Sequence, residues 1–491
     1  MNNIKMKKIT ILVLSIAMSS CAIFGPDYKK PNTDAQDSFR SHDSLSKVDK
    51  VTNLPDMAWW TKFNDPKLND LIVEALKNNN QVEMAIGNVV AAQGYLQQVE
   101  MTWVPFVNVA AGYSQNGTVN GNSGSSPANG AAFGSNYNSG YSAGLVPGYT
   151  LNILQLYKQQ QSAKAQLAAA VATKDAMRLT IISQVAGGYF TLTQQNYVLE
   201  LQKQLVADTL DQYNLAKGQY KAGYISLLSL QTYEQNYEKA KAQIPIIENN
   251  IVASENAIQV LLNKNPGVVK TGQPFSKLPM DGIIPANVPS VVLKQRPDVI
   301  AAEQQLIAAN ANIGVATANF FPTINLTGGL GSVSSDLSGL FSSGNDFWST
   351  SVNATMPILN LAYFGTIRQA KGQYYNSYYN YIFTVRNAFA QTDNALAAHQ
   401  KYTDSYKEQK QVYDSTVLAF DLGDQRFKDG LDSWVTALNY KISMDNSAIT
   451  LANAKMQQLQ TIVNLYQAMA GGYNVGNTAK AKKFGDGHDA D

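Results

Sequence analysis

The residue types that usually carry out catalysis or bind metals are scarce in this chain. Its three histidines, His42, His399 and His488, fall in three separate segments and do not form a ligand pattern. The sequence contains neither a glycine-rich phosphate loop nor a nucleophile motif. It therefore predicts a protein that is not an enzyme and that holds no metal or cofactor.

The single cysteine, Cys21, is the residue whose position indicates a modification. It follows three lysines, an apolar run at 9–18 and two serines. This order is typical of a secretory signal, and the run is too short to span a bilayer. We predict a signal peptide at 1–20 and lipidation of Cys21, with Ala22 favouring the outer membrane over inner-membrane retention. The alternative is an ordinary signal peptide with an incidental cysteine near the cut.

The charge balance gives no sign of a nucleic-acid partner. Removal of 1–20 takes away three lysines and no acid, which leaves 35 basic against 36 acidic residues. Beyond the signal, no apolar run is long enough for a transmembrane helix. A chain of this kind that crosses a membrane has to do so as a closed β-barrel.

One sequence pattern occurs twice, from about Asp65 to Gly267 and from about Pro289 to Gly472. In each copy a helical stretch ends in an aromatic residue and a proline, and residues of alternating polarity follow, as in a strand with unlike faces. A loop rich in Gly, Ser and Asn comes next, at 116–138 and 328–345, and a second apparent strand then reaches Pro147 or Pro357.

Each copy thus predicts one hairpin, at about 105–149 and about 322–357. Bacterial transmembrane barrels need at least about eight strands. Four strands per chain cannot close one alone, so the sequence predicts an oligomer with a shared barrel.

A very long helical segment follows each hairpin, from about Leu151 to Ala222 and from about Ala362 to Asp429. Each is expected to turn at a glycine, Gly223 or Gly430, and to return as a helix. About 65 residues of helix reach on the order of 100 Å. The many Gln, Asn, Ala, Ser and Tyr residues favour a tube of paired helices with water on both sides.

The stretch at 288–331, which includes LKQRPDVIAAEQQLIAANANIGVATANFFPTINLTGGLG, closely resembles the TolC-like outer-membrane efflux proteins of the NodT/OprM lipoprotein branch. Further matches are Trp59-Trp60, Leu262 to Gly267, Val463 to Gly472 and the segment 25–31 after the cysteine. Together they cover nearly the whole mature chain in the right order.

This resemblance implies a mainly α-helical homotrimer with a twelve-stranded outer-membrane barrel, four strands per chain, a periplasmic α-helical barrel and an equatorial domain. Its implied partners are outer-membrane lipids, a periplasmic adaptor (membrane fusion) protein and an inner-membrane transporter of the RND class. The implied function is a passive duct of a tripartite efflux pump. Two alternatives are an exit duct for ABC-driven (type I) secretion and a structural coiled-coil surface lipoprotein.

Both helical turns resemble the tips at which the family contacts its adaptor and closes its aperture, which makes Gly223, Gly430 and Phe427 candidate adaptor contacts. Aligned on Gly430, the gating aspartate of the relatives becomes Asn439, and a nearby arginine becomes Ile442. A charged lock carried over whole is therefore not expected.

The hydrophobic constriction of the relatives corresponds to Val435. The gate candidates are Asp429, Asp432, Val435, Thr436 and Asn439. The other interpretation of the two aspartates is ordinary turn and cap chemistry.

Aromatic residues near the candidate strands could form girdles at the membrane interfaces. They are Trp103, Phe106, Tyr149, Phe320, Phe321, Phe347 and Trp348. The predicted domains are the signal at 1–20, a lipid-anchored extension at 21–63, the first repeat at 64–270, a linker at 271–288, the second repeat at 289–473 and a tail at 474–491.

Overall fold

The computed structural model of the chain describes residues 27–33, 54–115, 139–280 and 294–476. The elements in chain order are α1 (Pro66–Asn78), α2 (Asn80–Met101), β1 (Phe106–Gln115), β2 (Ser139–Leu151), α3 (Ile153–Lys221), α4 (Leu227–Leu261), α5 (Pro297–Ala318), β3 (Thr323–Ser334), β4 (Asp346–Thr355), α6 (Ala362–Lys428) and α7 (Trp434–Ala468). Within those ranges, no helix combines the length and apolar character needed to cross a membrane.

Several predictions concern residues outside the described ranges. These are the signal at 1–20, the lipidation site Cys21, His42, the loop at 116–138, the second part of the linker at 281–288, and His488 with most of the tail.

The described residues form two compact units, and each unit takes pieces from both repeats. One holds 27–31, 89–115, 139–170 and 302–381, and the other holds the remaining described residues. The predicted domain boundaries follow the repeat in the sequence and stay predictions.

The long helices predicted after each hairpin are present as α3 and α6, with 69 and 67 residues. Helix α3 contains no proline and is rich in Ala, Gln, Leu and Lys, which are good helix formers. Two adjacent glycines lie in its middle. A Cβ at Gly187 would come within 3.1 Å of the Gln460 side chain on α7, and one at Gly188 within 3.4 Å of Ile258 on α4. Gly187 therefore lets α7 approach closely, whereas the contact at Gly188 is an ordinary one.

The four predicted strands form one antiparallel sheet in the order β1-β2-β3-β4. The prediction that 328–345 is a loop was wrong in its first half, because β3 continues to Ser334. Gly144 and Gly331 lie opposite each other, and a Cβ at Gly144 would come within 2.5 Å of the Leu330 carbonyl oxygen. These glycines therefore permit close approach of two strands, although a glycine-rich sequence is more typical of a loop.

Strand β2 also runs four residues past Pro147, where the sequence predicted its end. Proline has no N–H to donate, and the pairing of β2 with β3 is interrupted between Leu145 and Gly148. A Cβ on Gly328 would lie 2.9 Å from Pro147 Cγ. The glycine opposite thus makes room for the proline ring inside the sheet.

Asp65 joins three distant parts of the second unit. Its buried carboxylate caps α1 by accepting from the N–H of Lys67 at 2.9 Å. It also accepts from the Tyr189 hydroxyl of α3 at 2.5 Å and from the N–H of Gln273 at 3.0 Å. The Tyr189 oxygen in turn accepts from the N–H of Gly272 at 2.8 Å. This one carboxylate therefore holds together the start of α1, the middle of α3 and the segment after α4.

Candidate functional site

The turns between α3 and α4 and between α6 and α7 are built alike. Gly223 and Gly430 have φ angles of +79° and +73°, which glycine adopts without strain. In each, the N–H of the glycine and of the next residue donate to the last turn of the preceding helix, which is the Schellman pattern. The bonds are Gly223 to Tyr220, Tyr224 to Gln219, Gly430 to Phe427 and Leu431 to Arg426, all with N···O of 2.9 Å. The sequence prediction of turns at these glycines is confirmed.

A serine begins the returning helix in both turns. The Oγ atom of Ser226 accepts from the N–H of Ser229 at 3.1 Å, and that of Ser433 accepts from the N–H of Thr436 at 3.3 Å. These are N-caps that satisfy otherwise free backbone donors. The gate candidate Thr436 therefore lies in the capped first turn of α7.

The side chains of the two turns differ in character. The α3–α4 turn exposes an apolar group consisting of Tyr224, which is 82% exposed, Leu227 and Leu228. The α6–α7 turn carries a set of charges. They are Asp424, Arg426, Lys428, Asp429 and Asp432. Equivalent backbones thus present an apolar surface in one turn and a charged surface in the other.

The gate candidate Asp432 forms an ion pair with Arg426 of the same chain. The guanidinium Nε donates to Asp432 Oδ2 at 2.5 Å. This hydrogen bond lowers the pKa of Asp432 and raises that of Arg426. Within one chain the charge of Asp432 is therefore compensated by Arg426, and its gate role stays a prediction. Sequence reasoning missed Arg426, although a cation in the last helical turn before a glycine is a recognisable signal.

The other candidates in this turn have different environments. Asp429 is exposed and forms no ion pair within the described residues. The Val435 side chain is half-buried at the start of α7. The Phe427 ring lies 5.0 Å from the Trp434 ring, centroid to centroid, across the turn.

Polar side chains fix the start of α7 to α3. Asn439 Oδ1 accepts from Gln212 Nε2 at 2.6 Å. Nearby, the Trp434 indole N–H donates to Asp211 Oδ2 at 2.9 Å. Asn439 thus forms a neutral hydrogen bond between helices at the position where relatives are expected to carry a charge.

A buried carboxyl pair lies farther along the same interface. Asp208 on α3 and Asp445 on α7 are 6% and 5% exposed. Lys441 Nζ donates to Asp208 Oδ1 at 2.7 Å, and Gln204 Nε2 donates to Asp208 Oδ2 at 2.9 Å. Asp445 Oδ2 is buried without a hydrogen-bond partner.

Burial raises the pKa of Asp445 to about 7, with further contributions from its hydrogen bond to Asp208 and from the charge of that carboxylate. Lys441 opposes this rise. Asp445 is therefore largely protonated at mildly acidic pH. This pair was not identified from the sequence.

In the described part of the chain, no group of three or more His, Cys, Asp or Glu residues could hold a metal. His399 shares a hydrogen bond of 3.0 Å with the Thr461 hydroxyl, and burial lowers its pKa.

The register of the sheet gives it two unlike faces. One face is apolar and largely exposed. Its large side chains are Val107, Val109, Tyr113, Tyr141, Leu145, Tyr149, Leu326, Leu330, Trp348 and Val352, and the polar residues Ser332, Ser334, Asp346 and Thr350 share this face. The opposite face carries small and polar residues, among them Asn108, Thr150, Asn325 and Ser349.

Aromatic residues mark both ends of the apolar face. Tyr113 and Tyr141 form a cross-strand pair with ring centroids 4.8 Å apart. Tyr149 lies eight residues farther along β2, or about 26 Å, and its hydroxyl donates to the Trp103 carbonyl at 2.9 Å. Of the aromatic residues predicted to flank the strands, Phe106, Tyr149, Phe347 and Trp348 lie within them. Trp103, Phe320 and Phe321 lie just before the strands. The role of these residues as girdles stays a prediction.

Comparison with known proteins gives one consistent result. The sequence profile of a family described as "Outer membrane efflux protein" matches residues 71–264 and 288–471. The solvent efflux pump outer membrane protein SrpC of Pseudomonas putida is 30% identical over 482 residues, which cover 96% of this chain and 99% of SrpC. The cation efflux system protein CusC of Escherichia coli K12 is 27% identical over 478 residues, covering 95% and 99%.

Comparison with solved structures gives the same result as comparison of sequences. The open state of the MtrE outer membrane channel of Neisseria gonorrhoeae superposes with a TM-score of 0.79 at 26% identity, covering 91% of this chain and 98% of MtrE. A crystal structure of CusC gives a TM-score of 0.76 at 26% identity, with coverage of 91% and 99%.

Proposed function

Because the chain belongs to the outer membrane efflux protein family, we propose that three copies form a passive duct through which an efflux pump releases small molecules to the exterior. The chain supplies the outer-membrane channel of such a pump. Its strands lie in the outer membrane, and its long helices extend into the periplasm.

The two-faced sheet is the observation that carries this proposal. An apolar outer face about 25 Å tall with aromatic residues at both interfaces, combined with a polar inner face, is the pattern of a channel wall in lipid. Here the apolar face lies between Tyr141 and Tyr149, about 26 Å apart along the strand, or about 20 Å along the membrane normal at the usual tilt of barrel strands. The small and polar residues of the other face then line the duct.

The open edges of the sheet support a shared channel. Strands β1 and β4 each pair with one neighbour among the described residues. Unpaired strand edges are costly in lipid, because no water satisfies their backbone groups. Pairing of β4 with β1 of the next copy removes every edge, and three copies supply twelve strands.

The helical turns are the proposed contact with the rest of the pump. A periplasmic adaptor docks at the turns that contain Gly223, Gly430 and Phe427, and an inner-membrane transporter of the RND class supplies energy. The exposed group of Tyr224, Leu227 and Leu228 suits an apolar partner surface.

The α6–α7 turn is the proposed gate. Val435 and Thr436 form its narrow part, and Asp429 adds negative charge. Asp432 contributes together with Arg426 as a compensated pair. Asn439 holds α7 against α3 through its hydrogen bond to Gln212.

Lipidation of Cys21 completes the proposal, and it is tested separately. Globomycin, which blocks lipoprotein signal cleavage, should cause the precursor to accumulate. A Cys21→Ser variant has no thiol to lipidate, so its precursor should stay uncleaved by the lipoprotein signal peptidase whether or not the drug is present. Unchanged processing of the wild-type precursor contradicts lipidation.

Single-channel recording in planar bilayers tests the duct itself. The purified full chain should run as a trimer and conduct ions in discrete steps. A matched variant, Val109→Lys, places a charge on the apolar face and should reduce insertion into the membrane, because a lysine near the bilayer middle costs about 2–4 kcal/mol. A trimer that shows no conductance contradicts the proposed channel.

A further inference from the structure

A groove in the unit that contains the sheet has two lysines and no carboxylate paired with either. It lies between the first three turns of α3 and the middle of α5, and the segment 27–31 borders it. Its volume is about 380 Å³. Lys158 and Lys164 line it, and neither forms an ion pair within the described residues.

Lys158 is held in the groove by a specific packing feature. It is 8% exposed, and its aliphatic stem crosses α5 at Gly314. A Cβ at Gly314 would lie 2.8 Å from both Cγ and Cδ of Lys158. The ammonium lies 5.8 Å from the centroid of the Tyr157 ring. The buried stem thus holds the ammonium at the groove, where it has no anionic partner among the described residues. A cation that is not neutralised in a recess indicates a site for a negatively charged ligand.

The remaining groups around the groove suit a ligand with several acceptor atoms. The amides of Gln161 and Gln304 line it beside the two lysines. Amide N–H groups can donate to a phosphate oxygen, while lysine acts on phosphate as a point charge. The exposed Asp27 also lines the groove. It disfavours a bare anion there and suits a ligand whose phosphate carries a hydroxyl or ammonium substituent.

The segment 27–31 is fixed at the groove by Glu303 of α5. Lys30 Nζ donates to Glu303 Oε2 at 2.6 Å, and the Tyr28 hydroxyl donates to Oε1 at 3.2 Å. Glu303 is thereby occupied with two partners and does not neutralise Lys158 or Lys164. The wall of the groove is thus in place before a ligand enters.

We propose that this groove binds the phosphate of a substituted phosphate ester, with Lys158 and Lys164 as its charge partners. The short distance of the site from the end of the sheet favours a phospholipid headgroup as the source of this phosphate. Strand β2 ends at Leu151, and the seven helical residues from there to Lys158 rise about 10 Å. If the sheet spans the membrane, this places Lys158 near the headgroup layer. The choice of a lipid therefore rests on the proposed function, while phosphate binding itself does not.

Native mass spectrometry of the full chain, purified in the phosphate-free detergent octyl glucoside, tests this proposal. Dihexanoyl phosphatidylglycerol is the probe, dihexanoylglycerol is the control without phosphate, and inorganic phosphate is the competitor. Lys158→Met keeps the stem and removes the charge. Gly314→Ala keeps the charge and displaces the stem. Lys203→Met, at an exposed position of α3, is the matched control.

One phospholipid per chain should bind to the wild type and to Lys203→Met. Lys158→Met should weaken binding about tenfold, as loss of a charged hydrogen bond predicts, and Gly314→Ala should weaken it in the same direction. An unchanged melting temperature shows that each variant is folded. If millimolar inorganic phosphate displaces the lipid, the site binds phosphate and its natural ligand is a soluble phosphate ester. If the lipid is not displaced, its natural ligand is a phospholipid.

Equal binding to Lys158→Met and the wild type overturns the proposal, as does equal binding of dihexanoylglycerol. Absence of binding in the wild type also overturns it, since the groove is then filled or covered in the assembled protein. A chain that conducts in bilayers and binds no phosphate refutes this inference alone and leaves the channel function standing.

Discussion

Replacement of Asp445 by asparagine should remove a pH dependence from the contact between α3 and α7. In the wild type, the pKa of Asp445 is raised from 3.8 to about 7 by burial and by Asp208. A group whose pKa is higher in the packed state stabilises that state fully below its ordinary pKa, and this contribution is lost as the pH rises through the higher value. The α3–α7 contact should therefore weaken between about pH 4 and pH 7.

The size of the effect follows from the shift. Each unit of pKa difference corresponds to about 1.4 kcal/mol, so the full change is about 4 kcal/mol. Between pH 5 and pH 7 the wild type should lose about 2 kcal/mol, which is on the order of 50-fold in the local opening equilibrium. Asp445→Asn is neutral throughout and should show no such loss. At pH 8 it should open less often than the wild type.

Hydrogen exchange followed by mass spectrometry measures this opening locally. Peptides that cover the first half of α7 are compared at pH 5, 6, 7 and 8, with rates divided by those of the unfolded chain at the same pH. Lys441→Met should move the loss of protection to higher pH, because Lys441 favours the charged form of Asp445. Asp421→Asn, at an exposed position of α6, is the control. Protection that stays constant in the wild type, or that still falls with pH in Asp445→Asn, refutes the reasoning.

Three further predictions concern the turns and the sheet. Asp432→Asn leaves Arg426 without its acid, so single-channel recordings should shift toward anions, and the double variant with Arg426→Gln should restore the original selectivity; equal selectivity in all three would show that the pair lies away from the ion path. In Gly430→Ala the new Cβ meets no atom within 4 Å, but the backbone keeps a φ of +73°, so the free energy of unfolding, followed by thermal denaturation, should fall by about 1–2 kcal/mol. Gly218→Ala, inside α3 and also without contacts, should raise the free energy of unfolding by about 0.5–1 kcal/mol. Gly144→Ala places a Cβ 2.5 Å from a backbone oxygen of β3, so trimer yield on gels should fall, and a normal yield would mean that the strands can separate there at little cost.

The sequence was sufficient to predict the features that follow from a regular pattern of residue types. Alternating polarity predicted the strands, the long runs of helix formers predicted α3 and α6, and Gly223 and Gly430 predicted the turns. Each of these signals is local and has a direct physical cause. A residue of alternating type faces one side of a sheet, and a glycine with a positive φ ends a helix.

The features that the sequence did not predict depend on which residue of a distant segment lies next to each of them in the folded chain. Gly331 lies in a glycine-rich stretch that is typical of a loop. Only its pairing with Gly144 on the neighbouring strand shows that it belongs to the sheet. The pairing of Asp208 with Asp445 joins helices that are far apart in the chain, and no periodicity marks it. Asp432 was recognised as an acid of the turn, but its charge compensation depends on how the turn brings Arg426 to it.

The buried carboxylate of Asp65 has a consequence for biogenesis. Its partners at Tyr189 and Gln273 lie 124 and 208 residues farther along the chain. A chain that enters the periplasm with its N-terminus first exposes Asp65 long before either partner arrives, and contacts of such large sequence separation form slowly. The first repeat therefore cannot reach its final packing during early translocation. Its folding waits for the segment after α4.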